Sequence, residues 1–136
     1  MDELEQTLIY LKEVLETIPG INLVSHGKPA PLNTDTHLPA IYIVPTNEAF
    51  VNTKNTKALC GYDNYVYLKL VVNMECTYDL EWISLRHTII DAVLSDNDIW
   101  KSIVDRDVVA TVHDDFDNYP KKAFQIAFEF RLRVNP

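Results

Sequence analysis

Apolar and polar residues alternate through the last part of the chain, from Lys122 to Val134. Every second position there is apolar, namely Phe124, Ile126, Phe128, Phe130, Leu132 and Val134. Successive side chains of a strand point to opposite faces, so this period of two predicts a half-buried β-strand. Because three of its apolar residues are phenylalanines, we expect this strand to anchor the hydrophobic core.

Five further segments have the pattern of β-strands. The longest is 62–76, in which one set of alternate positions is wholly apolar; that set should face the core, and the strand should pair with the closing one. The stretch 38–44 is apolar on both faces, as an interior strand is, with Pro39 and Pro45 at its ends. Shorter strands are predicted at 21–25, at 48–51 and at 107–112, the last with Val108, Ala110 and Val112 on one face.

Two segments instead show the 3.6-residue period of a helix. Residues 2–18 carry a stripe of Leu4, Leu8, Leu11, Leu15 and Ile18, and Pro19–Gly20 should end the helix. A second helix is expected from Asp79, as its N-cap, to Leu94. Its apolar stripe is predicted to consist of Trp82, Ile83, Ile90, Val93 and Leu94. A short helical turn capped by Asp98 is predicted through Ile99, Trp100, Ile103 and Val104.

The segments between these elements are polar or contain turn-forming residues. Residues 26–37 hold two prolines, a glycine and an asparagine, and 113–120 form an acidic turn. Residues 52–61 are polar and should form an exposed hairpin arm. Strands that follow one another, with helices grouped to one side, predict an α+β fold with a mainly antiparallel sheet, an N-terminal helix and a second long helix packed against it, and a protruding β-hairpin arm. At 136 residues, the chain is expected to form a single domain, 1–136.

Composition limits the classes of function. Twelve Lys and Arg against twenty Asp and Glu give a net charge of -8, which argues against nucleic-acid binding as the primary role. Cys60 and Cys76, without the pattern of a signal peptide, are expected to be reduced thiols. No apolar run approaches the roughly 20 residues of a membrane span, so no membrane partner is expected.

No catalytic, cofactor-binding or metal-binding site is predicted. The strongest candidate is His113 with Asp114, Asp115 and Asp117, whose spacing matches no metal motif and is typical of a solvated turn. Cys60 has no recognisable neighbouring base, and the three glycines are scattered singly, so they cannot form a phosphate-binding loop. The chain is instead rich in strand tyrosines, and Tyr42, Tyr65 and Tyr67 are expected to project from the sheet as contact residues.

The order of elements and two short strings resemble a known family. Leu38–Pro39–Ala40 followed by aliphatic residues opens one strand, and Asp114–Asp115–Phe116–Asp117 precedes the terminal strand. From Leu38 to Val134 the chain resembles the tail-terminator family of long-tailed bacteriophages and, less closely, other phage neck and tail-completion proteins.

The resemblance implies a ring, typically a hexamer, that caps the tail tube, ends its polymerisation and presents a surface to the head connector. DNA would pass through the lumen without specific binding, which an acidic chain suits. The protein would be located in the virion at the tail neck, after assembly in the host cytoplasm. Contacts with neighbouring subunits or with the tube are expected at Asn52, Lys54, Lys57, Tyr65, Tyr67, Arg131 and Arg133.

Other interpretations stay open at this point. A head-closure or tail-completion neck protein would have a similar sequence, and a monomeric ligand-binding domain or a metal-dependent enzyme using His113 are further alternatives. The polar face of the last strand, with Glu129, Arg131 and Arg133, is either a solvated sheet surface or a set of charge partners across a subunit boundary.

Overall fold

In the part of the chain that the structure describes, two helices lie on one face of a five-stranded β-sheet. The computed structural model describes residues 3–27, 38–52, 62–95, 103–113 and 121–134. The elements are α1 (Glu3–Glu16), β1 (Leu23–His26), β2 (Ala40–Asn52), β3 (Tyr62–Glu75), α2 (Asp79–Leu94), β4 (Ile103–His113) and β5 (Lys121–Val134). Within these ranges neither helix is long and apolar enough to cross a membrane.

The strands are ordered β1-β2-β3-β5-β4 across the sheet. β1 is parallel to β2, and the three other pairs are antiparallel. The predicted α+β class with a mainly antiparallel sheet is therefore confirmed, as is the pairing of the closing strand with the long strand β3. The described part of the β2–β3 hairpin stays within the sheet, because β5 accompanies β3 up to the Tyr62–Val134 pair. Of the predicted arm 52–61, Asn52 is the last residue of β2, and residues 53–61 lie outside the described part of the chain.

The core lies between the helices and the sheet. The closing strand contributes Phe124, Ile126, Phe128, Phe130 and Leu132, which are at most 1% exposed. β3 contributes the alternate apolar set predicted for it, and α1 contributes Leu11, Val14 and Leu15, and Ile18 follows just after its end at Glu16. The aromatic rings of Phe128 and Phe130 lie 6.1 Å apart, and Phe124 contacts Trp82 of α2 at 5.7 Å between ring centroids. The period-two and period-3.6 patterns thus identified the main packing faces.

β2 is a single strand, so the prediction of two strands ending at Pro45 and beginning at Glu48 was wrong. A bulge between Pro45 and Asn47 lets the strand continue past the proline. The Thr46 hydroxyl donates a hydrogen bond of 3.0 Å to the Tyr67 carbonyl, which holds the bulged segment to β3.

A bulge also corrects the prediction for β4. Val108 lies opposite Phe128, whereas Ala110 lies opposite Ala127, because the register shifts between them. Neighbouring residues of β5 belong to opposite faces, so Val108 does not share a face with Ala110 and Val112. β4 also begins earlier than predicted, at Ile103 opposite Leu132, so Ile103 and Val104 are strand residues rather than part of a helical turn. The rest of that turn, including Asp98, Ile99 and Trp100, lies outside the described residues.

The start of α2 differs from the prediction by one residue. Tyr78 is the N-cap, and Asp79 is the first helical residue. The Asp79 carboxylate accepts a 3.0 Å hydrogen bond from the Trp82 indole nitrogen, and Glu81 accepts one of 2.9 Å from the Thr77 backbone amide. Asp79 therefore fixes the Trp82 ring instead of capping the helix with its side chain.

The buried stripe of α2 consists of Trp82, Ile89 and Val93. Leu94, predicted to belong to it, is 38% exposed. The sequence prediction chose Ile90 and missed its neighbour Ile89, because two adjacent isoleucines fit more than one helical stripe.

The C-terminus of α2 is held by β4. The Arg106 guanidinium donates hydrogen bonds to the carbonyls of Val93 (2.9 Å), Ser95 (3.1 Å) and Leu94 (3.4 Å). The last carbonyls of a helix have no partner within the helix, and they favour a nearby positive charge. α2 has no basic residue in its last turn, so Arg106 supplies this charge from the sheet.

β1 is displaced by one to two residues from its predicted position. It spans Leu23–His26 because Asn22 uses its backbone amide to bind the Pro39 carbonyl at 2.9 Å, before the strand ladder begins. Gly27 then turns the chain at a positive φ of 75°, which favours glycine. Of the predicted loop 26–37, residues 28–37 lie outside the described part.

Candidate functional site

The sheet face opposite the helices is the main candidate surface. We call it the open face and define it by the half-buried residues Tyr65, Tyr67, Lys69, Gln125, Glu129 and Arg131. They alternate along β3 and β5 with the core residues, so the same two strands build both surfaces. Its aromatic and charged side chains resemble an interface more closely than a plain solvated surface.

Tyrosines and charges lie directly opposite one another on the open face. Tyr65 lies opposite Arg131, and Tyr67 lies opposite Glu129. A hydrogen bond with Tyr65 raises the pKa of the Arg131 guanidinium. Desolvation, and then the Glu129 carboxylate, raise the pKa of the Tyr67 hydroxyl. Both groups therefore keep their protons at neutral pH, and the face presents a fixed pattern of hydrogen-bond donors.

The Arg131 side chain on β5 also extends towards the neighbouring strand β4. Its Nη2 lies 4.0 Å from Oδ2 of Asp105, with the two side chains 39% and 58% exposed. An exposed ion pair of this length contributes little to stability. The Arg131 Nε is buried, and no described residue accepts a hydrogen bond from it. The part of Arg131 that an assembly partner can contact is the exposed 39% of its side chain, and not this buried Nε.

A groove of about 230 Å³ crosses the open face, with Thr46, Tyr67, Lys69, Val109, Gln125 and Ala127 among its lining residues. Its position follows from the register. Ala127 lies between Lys69 on β3 and Ala110 on β4, so a small side chain occupies the middle of that row. The bulge places Val109, which is 56% exposed, at the rim.

An exposed apolar pair lies at the start of α2, at its N-cap and in its first turn. Tyr78 is 68% exposed and Leu80 is 76% exposed. Asp79 and Glu81, which alternate with them in sequence, are also exposed. We call Tyr78–Glu81 the acidic knob. Large apolar side chains this exposed, close together and next to charges, are typical of contact sites.

The predicted interface residues are brought together in part. Tyr65, Tyr67 and Arg131 are neighbours on the open face, and their role in assembly stays a prediction. Asn52 is the last residue of β2, opposite Tyr62, and Arg133 lies opposite Asp63; the structure describes the backbone of both. Lys54 and Lys57 lie outside the described residues.

Tyr42 does not project as a contact residue. It is 1% exposed, and burial raises the pKa of its hydroxyl. Tyr42 pairs with Val71, and this register places it on the open face. Because Tyr42 is nonetheless buried, the open face is covered at this end and accessible in its middle. Exposure cannot be inferred from strand alternation alone, because alternation gives the direction of a side chain and not what lies above it.

Little in the described residues suggests chemistry. No group of three or more His, Cys, Asp or Glu there is arranged to hold a metal ion. Cys76 is buried, and this burial raises the pKa of its thiol, which is the opposite of what a nucleophile requires. The backbone of His113 ends β4, opposite Phe124, while Asp114, Asp115, Asp117 and Cys60 lie outside the described residues.

Sequence reasoning missed the groove and the acidic knob. The groove depends on two bulges and one alanine, and a single sequence gives no clear signal for a bulge. Ala127, a small residue in a strand of large ones, was the available signal. The knob could have been found from Tyr78 and Leu80, which lie outside the apolar stripe of α2.

Comparison with known proteins gives a fold likeness. No family model matches the chain, and no curated protein matches it. Among solved structures, it is similar to a chain of the virion of a native gene transfer agent particle, with a TM-score of 0.66 and 12% sequence identity. The match covers 91% of this chain and 92% of that chain. At this identity the likeness shows a shared fold over almost the whole of both chains.

Proposed function

We propose that this protein is a structural component of a phage or phage-like virion that assembles as a ring on the tail tube. The observation that carries the proposal is the fold shared, almost from end to end, with a chain of a virion particle. No large insertion separates the two chains, so the match concerns the whole unit and not a common sub-motif. Function does not follow from fold alone, so the proposal also needs a surface suited to assembly.

The open face supplies such a surface. Tyr65, Tyr67 and Arg131 form a rigid, mixed aromatic and charged patch on two central strands, and residues of this kind are enriched where proteins meet. Rings arise when one patch of a subunit meets a different patch of the next. The open face and the acidic knob are two such different patches.

Within this class, our proposed role is that of a tail terminator. The ring, typically a hexamer, would cap the tube, end its polymerisation and present the other side to the head connector. The net charge of -8 suits a lumen through which DNA passes without binding. The protein would act without catalysis or a cofactor, at the tail neck of the virion. The second candidate, a head-closure or tail-completion neck protein, is favoured by the same fold likeness.

Electron microscopy of particles made without the protein distinguishes the two roles. Overlong tubes are expected if the protein ends tube growth, whereas tails of normal length that fail to join heads would favour the neck role. Supplying the wild-type chain in trans should restore the particles. Complete, infectious particles of normal length in its absence would contradict both roles.

The proposed contact role of the arm can be tested separately by deleting Asn52–Lys57. We expect altered ring size or failed tail joining, because the arm would lose its contact with a neighbouring subunit or the tube. Replacing only Lys54 and Lys57 with glutamine is the control for a purely electrostatic contribution. Unchanged ring size and unchanged tail joining after the deletion would rule out this role for the arm.

A further inference from the structure

We propose that the acidic knob of one copy of this chain docks into the open-face groove of the next copy, with Leu80 and Tyr78 entering the groove and Lys69 pairing with Asp79 or Glu81. This inference rests on the proposed ring and names the two surfaces that would meet in it.

The charges of the two surfaces are complementary. Lys69 is the charged side chain among the described lining residues of the groove, and no ion pair joins it to another described residue. It is half-buried among apolar neighbours, where a cation gains most from an opposite charge. Asp79 and Glu81 stand on both sides of Leu80, so the knob carries an apolar tip with carboxylates at its base.

The shapes are complementary as well. The groove is a depression beside an exposed valine, with a volume of about 230 Å³, and the knob is the most exposed large apolar segment of the described chain. Insertion of Leu80 and Tyr78 would remove both from water and cover Val109, so three exposed apolar side chains would be buried in one contact. A buried aromatic or aliphatic anchor in a pocket is the usual energetic centre of an interface.

A chain cannot fill its own groove with its own knob. From Lys69 to the end of β3 at Glu75, the strand rises roughly 20 Å, and the knob then lies where the chain turns towards the helix-covered face. The contact must therefore join two copies through different surfaces. Such a contact closes into a ring when the rotation between copies is suitable. The occupant that fits is consequently a second copy of this chain.

Cysteine cross-linking between copies tests the contact directly. In a Cys60→Ser background, the remaining native thiol is Cys76, which is buried. Leu80→Cys and Val109→Cys are made in separate chains, both at exposed positions, so folding should be unaffected. Mixing the two variants under mild oxidation should give a disulfide-linked dimer at least several-fold more abundantly than either variant alone.

One chain carrying both cysteines should give a ladder of cross-linked species that ends at the subunit number of the ring. The matched control pairs Val109→Cys with Ile9→Cys, an exposed apolar position on α1, at 39% exposure. Adding Ala127→Leu to the Val109→Cys chain should reduce the Leu80 cross-link several-fold, because a larger side chain fills the groove.

Cross-linking of the Leu80 and Val109 variants no greater than that of the Ile9 control, across a series of protein concentrations, would overturn the proposal. So would a cross-link that is insensitive to Ala127→Leu. The ring itself is assessed separately, from tail length in the electron microscope. Overlong tails without the protein, together with no Leu80–Val109 cross-link, would preserve the proposed function and place the subunit contact elsewhere.

Discussion

The two faces of the same pair of strands differ in how completely they are covered and in the aromatic residue that they use. Towards the helices, β5 presents Phe124, Phe128 and Phe130, all at most 1% exposed. Towards the open face, β3 presents Tyr65 and Tyr67, half-buried and next to charged residues of β5. Phenylalanine has no polar atom to satisfy and suits a dry core, whereas tyrosine can serve both a wet surface and a partner. The helix-covered face therefore holds the fold together, and we propose that the open face serves assembly.

The largest expected difference between the faces is in stability. Phe128→Ala should lower the free energy of unfolding by about 3–5 kcal/mol, because it leaves a cavity beneath α1 and α2. Its partner in the comparison is Gln125→Ala on the open face, for which a change within about 0.5 kcal/mol is expected. Urea unfolding followed by circular dichroism measures both. Equal losses for the two variants would contradict the division of roles between the faces.

Two arginines on opposite faces provide the next comparison. Arg106→Gln should cost about 1–2 kcal/mol, since three carbonyls at the end of α2 lose their charged donor while the site stays partly wet. Arg131→Gln, on the open face, should cost clearly less. Thermal unfolding measures the difference. Arg106→Lys serves as a control, and it should recover only part of the loss because lysine lacks the planar fork of donors. If Arg131→Gln were the more damaging change, the open face would be a structural element.

Two lysines extend the comparison to smaller effects. The Lys122 ammonium lies 4.9 Å from the centre of the Trp82 ring, an arrangement worth about 0.5–1 kcal/mol. Lys122→Gln should therefore lower stability by about that amount, and Lys69→Gln on the open face should leave it unchanged. The test compares the denaturant midpoints of the two variants with that of the wild type, provided that the slopes of their unfolding curves are equal. A loss for Lys69→Gln as large as for Lys122→Gln would mean that the groove lysine supports the fold.

The smallest expected effect concerns His26, at the edge strand β1. Burial, and then the charge of Lys12, lower the pKa of His26 below its ordinary 6.5. The unfolded chain therefore takes up a proton first, so stability should fall as pH drops through about 6.5, down to the pKa in the folded state. His26→Gln should flatten this part of the pH–stability curve, and Lys12→Gln should weaken its slope. A curve for His26→Gln parallel to that of the wild type would show that another group causes the fall.

The sequence predicted the elements whose pattern is long and regular. The alternation in β3 and β5 predicted their core faces and their pairing, and the leucine stripe predicted the packing of α1. The sequence did not predict local exceptions, where tertiary contacts override the pattern. One bulge lets β2 continue past Pro45, and another shifts the register between Val108 and Ala110. Ile103 is a strand residue because it pairs with the long strand β5. For the candidate site, the alternation correctly predicted that Tyr65, Tyr67 and Arg131 lie on one face. It also predicted an exposed Tyr42, which was wrong, and it gave no indication of the groove.

Charge reversal at Arg131, measured simultaneously by native mass and by melting temperature, tests the central claim most directly. The Arg131 side chain lies on the open face and is 39% exposed, and its ion pair with Asp105 is long and exposed. Arg131→Glu is predicted to disrupt the assembled ring while the melting temperature stays close to that of the wild type. An unchanged ring, or a fall in melting temperature as large as that of Phe128→Ala, would contradict the assignment of the open face to assembly.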